Sequence, residues 1–163
     1  MYKKIAFILA GFFGAGYFPF ASGTFGSLVT LPFAAAVAYY YGICGVLFLA
    51  AVSFVIGWIA SAEVLKYTKH DPSLIVIDEF CGQTITFVPL ATAMQGNPDV
   101  LAVLAVGFLL FRLFDITKPF PAGWADKKIC NAFGVMLDDV FAGCYAALVL
   151  WLINHYCNLF IGF

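Results

Sequence analysis

"YYYGICG", residues 39–45, interrupts an uncharged run without equal elsewhere in the chain: from Ile5 to Ala62 there is no Asp, Glu, Lys, Arg or His. Soluble domains carry roughly one charged residue in four, so a run of this length is built for lipid, where about 20 apolar residues cross the hydrocarbon. The part from 27 to 62 is too long for one crossing helix, and the glycine-containing turn at 39–45 splits it into a hairpin. Tyr39, Tyr40 and Tyr41 then suit the aromatic belt at a membrane interface.

Working outward, the composition agrees: of 163 residues 64% are apolar, 18% aromatic and only 10% charged. Apolar stretches cover 5–16, 27–62, 74–90, 99–117 and 135–161. The first is too short to cross. The expectation is one integral-membrane domain over 1–163: all-α, a polytopic membrane helical bundle of about four transmembrane helices plus an N-terminal re-entrant or interfacial helix. The start, "MYKKIAFILAGFFGAG", imitates a secretory leader, but the charge-free run continues beyond it, which favours a retained segment. A net charge of −1 gives no basic surface for nucleic acid, so membrane lipid is the expected partner and the sequence leaves the oligomeric state open. Five cysteines (Cys44, Cys81, Cys130, Cys144, Cys157) show no zinc spacing and read as packing residues.

The positive-inside rule orients the bundle. With segment 5–16 not crossing, Lys3, Lys4, Lys66, Lys69, Lys118, Lys127 and Lys128 all fall on the cytoplasmic side, while the outer loop "ATAMQGNPD" has no Lys or Arg. The same topology gathers the acidic residues of the apolar stretches. Asp78 and Glu79 lie a turn or so into their span, Arg112 and Asp115 in the last turns of an inward span, and Asp138 and Asp139 in the first turn of an outward one. The small-residue loop "SGTFGS" at 22–27 falls on that side too.

Carboxylates at one depth repel: at an effective dielectric near 20, a pair about 4 Å apart costs roughly 4 kcal/mol. An oxygen-only cluster selects a hard cation, Mg²⁺ first. The plain alternatives are that the Asp138–Asp139 pair caps a helix and that Arg112 and Asp115 form an internal ion pair. Phosphate is the natural partner of Mg²⁺ and of Arg112, the single arginine, whose fork grips phosphate in two places. Lys118 adds a second cation. Thr24 and Ser27 add hydroxyls, and the loop's backbone N–H groups a cradle, although a tight turn or close helix contact explains that loop equally well. A phosphohistidine route lacks its cluster of cations, since only His70, His155 and one Arg occur, and no Asp-x-Asp triplet suggests a phosphoaspartate. Direct attack by metal-activated water remains.

"GYFPFASGTFGSL", "KHDPSLIVIDEFCGQTIT", "FRLFDITKPFPAGWADKK" and "GVMLDDVFAG" resemble, in order and spacing, the phosphatidylglycerophosphatase A family, from about Gly14 to Gly143. That resemblance implies a bacterial inner-membrane, multi-pass, Mg²⁺-dependent lipid phosphatase that converts phosphatidylglycerophosphate to phosphatidylglycerol, with its site on the cytoplasmic side. It also implies an acidic set at Asp78, Glu79, Asp115, Asp138 and Asp139, with Thr24, Arg112 and Lys118 beside them. Two departures stand out: Ser22-Gly23-Thr24 replaces the usual Pro-Gly-Thr, and Asn131-Ala132-Phe133-Gly134 replaces a Gly-Gly type turn. The expected roles are metal binding by Asp78, Glu79, Asp138 and Asp139, catalysis by Asp115 and Asp139, and phosphate binding by Thr24, Ser27, Arg112 and Lys118. The competing reading is a small ion or solute transporter, which should place its ionisable groups near mid-membrane; a scaffold without catalysis is a third. His70 reads either as a phosphate or proton-transfer residue or as part of a solvated loop with Asp71 as N-cap. Asp99 is set aside, and Glu63 and Asp126 read as surface charges.

Overall fold

The computed structural model describes residues 2–68, 73–95 and 99–157. Lys69, His70, Asp71 and Pro72 lie outside the described residues, so the expectations for His70 and the Asp71 cap have no structural counterpart. The described elements are all helical: α1 (Tyr2–Ala10), a 3-10 turn (Phe12–Tyr17), α2 (Ser22–Val64), α3 (Ile77–Thr86), a 3-10 turn (Val88–Leu90), α4 (Val100–Thr117), α5 (Ala122–Lys128) and α6 (Ala132–Cys157). Of these, α2, α4 and α6 are long and apolar enough to cross a membrane.

Straight, α2 would be about 64 Å long at 1.5 Å per residue, twice a bilayer core. It doubles back instead at Gly42, whose φ of 57° and ψ of −148° belong to a region open essentially to glycine. Contacts at both ends show the hairpin. Ser22 Oγ donates to the Ser73 carbonyl at 2.6 Å, Gly26 packs on Val76, and Gly57 packs on Ile77 and Met136, so the two ends of α2 share one level. At the far end Gly42 faces Thr92 and Gln95, and Gln95 Nε2 donates to the Tyr39 carbonyl at 3.1 Å. The turn expected at 39–45 is therefore present, with exposed Tyr39, Tyr40 and Tyr41 beside it.

The stretch 74–90 runs between the same two ends, but not as one long helix. It is α3, of 10 residues, followed by a 3-10 turn. Phe80, Cys81, Gly82, Gln83 and Thr84 are buried by the surrounding helices. Four long apolar limbs, two from α2 plus α4 and α6, thus enclose one short inner crossing. The apolar core divides into an upper cluster around Phe87, Leu90, Ala34 and Leu150 and a lower one around Val64, Ile75, Phe80 and Met136.

Two close helix contacts set the register. A Cβ on Gly143 of α6 would strike the Gly82 carbonyl of α3, and one on Gly82 would strike the Asp139 carbonyl. Small residues let membrane helices approach this closely; here the approach draws Asp139 against the start of α3. The N-terminal segment, as expected, is too short to cross: α1 has nine residues, about 14 Å. It lies beside α2 and the 74–76 stretch, with the Val76 amide donating to the Ala10 carbonyl at 2.9 Å. Lys3 Nζ sits 4.0 Å above the Tyr67 ring, which puts residues 3 and 67 at one end of the bundle. The packing reading of the cysteines holds for Cys81, which is buried; Cys44, Cys130, Cys144 and Cys157 are exposed on the bundle surface.

Candidate active site

At the end where Ser22 meets Ser73, a cavity of about 260 Å³ opens between the helices. Its wall includes Ala21, Ser22 and Gly23 from the start of α2, Asp78 and Glu79 from α3, Arg112 and Asp115 from α4, Lys118, Asp126 from α5, and Asp138 and Asp139 from α6. Among the described residues, six carboxylates thus face two cations, an excess of four formal negative charges.

The cations are already engaged. Arg112 Nη1 lies 2.6 Å from Asp115 Oδ2, as the three-residue spacing on α4 allows. Lys118 Nζ bridges Asp126 at 2.8 Å and Asp138 at 2.7 Å. Burial works to lower the Lys118 pKa, but hydrogen bonds to Asp126 and Asp138 outweigh it and hold the ammonium above the usual lysine range. Lys118 can make this bridge because it closes α4 in the left-handed conformation, φ 44° and ψ 59°, which turns the chain back toward α6.

Among the described residues, that leaves Asp78, Glu79 and Asp139 without an ion pair to a cation of their own. Each offers one oxygen, and the three oxygens lie within 4.8 Å of one another. Asp78 accepts the Glu79 backbone N–H at 3.0 Å. Glu79 Oε2 is buried with no hydrogen-bond partner, as are Arg112 Nε and both amide atoms of Gln83. Gly23 keeps this corner open, since a side chain there would collide with Glu79 Oε1. An all-oxygen trio this close, with an unsatisfied carboxylate atom, fits a hard divalent cation by donor chemistry.

Several expectations need correction. Residues 22–27 are the first turns of α2, not a loop; the cradle they offer is the set of N–H groups that any helix start leaves free. Ser27 lies one turn in, donating to the Gly23 carbonyl at 2.9 Å and accepting from Arg112 Nη1 at 3.5 Å. Thr24 is half-buried and is not on the cavity wall. Asp138 and Asp139 are not in the first turn of α6, which starts earlier, at Ala132; they lie about two turns in, both buried. Hence they do not cap that helix. Asn131 does, its Oδ1 accepting from the Phe133 and Gly134 amides at 2.9 and 3.2 Å, which gives the departure from a Gly-Gly turn a structural role.

Of the expected metal set, Asp78, Glu79 and Asp139 cluster while Asp138 is held by Lys118. Asp126, read as a surface charge, belongs to the site. No spacing rule ties "WADKK" to a residue eight positions upstream; the left-handed turn at Lys118 brings them together. Glu63 is a surface charge as read, pairing with Lys66 at 2.6 Å. The ionisable groups crowd one end of the bundle rather than its middle, which disfavours the transporter reading.

The profile of the family described as Phosphatidylglycerophosphatase A matches residues 8–154. Phosphatidylglycerophosphatase A of Escherichia coli (strain K12) is 31% identical over 153 residues, 93% of this chain and 85% of that protein. The protein of the same name from Haemophilus influenzae is 35% identical over 161 residues, 94% of each chain. A Bacteroides thetaiotaomicron protein, provisionally named a phosphatidylinositol-3-phosphatase, is 34% identical over 145 residues, 85% of this chain and 86% of its own length. No solved structure matches the chain.

Proposed function

We propose, because this chain belongs to the phosphatidylglycerophosphatase A family, that it hydrolyses the terminal phosphate monoester of phosphatidylglycerophosphate, giving phosphatidylglycerol and inorganic phosphate. The observation that carries the reading is the convergence of five helical segments on one acidic, cation-flanked cavity at the lysine-rich end of a membrane bundle. The distribution of Lys residues supports that end facing the cytoplasm, and the bacterial relatives support the bacterial inner membrane as its location. A lipid headgroup enters there while its chains stay in the bilayer.

In this reading Asp78, Glu79 and Asp139 hold Mg²⁺, with Asp138 beside them, fixed by Lys118. Bound there, the cation supplies Lewis acidity toward the phosphoryl group and lowers the pKa of water. Arg112, Lys118 and the free N–H groups at the start of α2 receive the phosphate oxygens, and Ser27 steadies the guanidinium. Thr24 contributes through its place in that first turn. Asp115, held by Arg112, orients the attacking water and takes its proton. A new P–O bond forms to the water oxygen as the bond to the glycerol oxygen breaks; the leaving oxygen takes a proton from solvent at the open end of the cavity, and Asp115 gives the proton it took back to solvent.

The test is phosphate release from phosphatidylglycerophosphate by purified protein in detergent, with the Asp139→Asn variant alongside. Release by wild type and none by the variant is expected; no release by wild type overturns the proposal. The Bacteroides relative motivates a second arm with phosphatidylinositol 3-phosphate, also a phosphate monoester on a lipid headgroup. Preference for that lipid would move the substrate assignment without moving the site.

A further inference from the structure

Among the described residues five buried side-chain polar atoms lack hydrogen-bond partners: Ser61 Oγ on α2 and four on α3 and α4, namely Glu79 Oε2, Arg112 Nε, and Gln83 Nε2 and Oε1. Unpaired groups of this kind cost about 1–3 kcal/mol each, so four in one region call for an explanation. Gln83 is fully buried, at 0% exposure, and, unlike Glu79 and Arg112, has no part in the proposed chemistry.

The four atoms are complementary. Glu79 Oε2 accepts and Gln83 Nε2 donates; Gln83 Oε1 accepts and Arg112 Nε donates. Glu79 and Gln83 are four apart on α3, hence on one face and a single turn from each other. Arg112 is at the same level, because Phe111, its neighbour in sequence, packs on Gly82, the neighbour of Gln83. Glu79 and Arg112 also flank Gly23 together, with Glu79 Oε1 and Arg112 Nη1 both close to where a Cβ on it would sit. Among the described buried hydroxyls, Ser27, Thr30, Thr84 and Thr86 donate to carbonyls one turn back on their own helices, Ser53 donates to the Ala50 carbonyl and Ser22 to the Ser73 carbonyl, while Ser61 Oγ on α2 also lacks a partner.

We propose that Gln83 is a positioning residue whose amide clips Glu79 to Arg112, donating from Nε2 to Glu79 Oε2 and accepting at Oε1 from Arg112 Nε. Neither bond is formed as the side chains stand, and both require rotation of the Gln83, Glu79 or Arg112 side chains. The clip ties the carboxylate that holds the cation to the guanidinium that receives phosphate, so the two halves of the site keep a fixed separation. This rests on the reading above, in which Glu79 is a cation ligand.

The test replaces Gln83 by Leu and, as a near-isosteric second variant, by Met. Purified wild type and variants are titrated calorimetrically with Mg²⁺, melted in EDTA, and assayed for inhibition by inorganic phosphate. Removing an amide that only burdens the core leaves Mg²⁺ binding untouched and raises the melting temperature. Removing the clip leaves the metal-free melting temperature unchanged or higher, yet weakens Mg²⁺ binding by about 10- to 100-fold, as loss of a ligand's outer partner does, and weakens phosphate inhibition in parallel. Variants that bind Mg²⁺ within about twofold of wild type overturn the clip alone. A wild type that binds no Mg²⁺ overturns the cation reading and the clip with it.

Discussion

Asp139→Asn is the substitution whose consequences follow most fully from the geometry. Asp139 takes part in two of the three close pairings among Asp78, Glu79 and Asp139, whose oxygens lie within 4.8 Å. At that separation and an effective dielectric near 20, each ionised pair costs about 3.5 kcal/mol, so Asn relieves up to about 7 kcal/mol of repulsion in the metal-free protein. Relaxation of neighbouring side chains absorbs most of this. A residual gain of about 1–2 kcal/mol corresponds to a melting temperature higher by about 2–8 °C for a chain of this size. Mg²⁺ acts unequally on the two proteins. At 100 times its Kd it stabilises wild type by about 2.7 kcal/mol, or about 5–11 °C, and stabilises the variant little. The assay is thermal unfolding followed by tryptophan fluorescence, in EDTA and in MgCl₂, on both proteins. A metal-free variant that melts below metal-free wild type, or a Mg²⁺ shift equal in the two, refutes the reasoning.

Other outcomes follow from the same site. Arg112→Lys keeps the charge but loses the fork that holds Asp115 and Ser27; kcat/KM for phosphate release should fall by about 10- to 100-fold, the worth of one hydrogen bond to a charged group. Gly23→Ala places a methyl against Glu79 Oε1, so Mg²⁺ affinity measured by calorimetry should drop at least tenfold while the helix itself tolerates alanine well. Asp126→Asn removes one of the two carboxylates on Lys118; the Michaelis constant for lipid should change while Mg²⁺ affinity stays within about twofold, and equal changes in both would place Asp126 among the cation's own partners. Gly42→Ala forces a side chain into a backbone region reserved for glycine, and should lower stability by about 1–3 kcal/mol in thermal unfolding without changing the Mg²⁺ shift.

The membrane class and the hairpin were legible in the sequence because an uncharged run of that length has one physical use, and the glycine at its middle is the residue that permits reversal. The convergence of Asp78, Glu79, Arg112, Asp115, Asp138 and Asp139 followed from topology and charge distribution alone. What the sequence concealed was local and tertiary. Helical N–H groups at the start of α2 were read as a loop because Ser, Gly and Thr favour both. The length of α3 was overstated since a buried crossing, sheltered from lipid, need not be one continuous helix. Asp126 was missed because its partner is fixed by the backbone turn at Lys118, and Gln83 because a buried amide adds only one more polar letter to the mixed run "CGQTIT".

The central proposal is a cation held by Asp78, Glu79 and Asp139 at the place where lipid phosphate is cleaved. Phosphate release from phosphatidylglycerophosphate by purified protein, first stripped with EDTA and then repleted with Mg²⁺, tests it most directly. Loss of release on stripping and its return on repletion is the predicted result; release that continues undiminished in the chelator contradicts it.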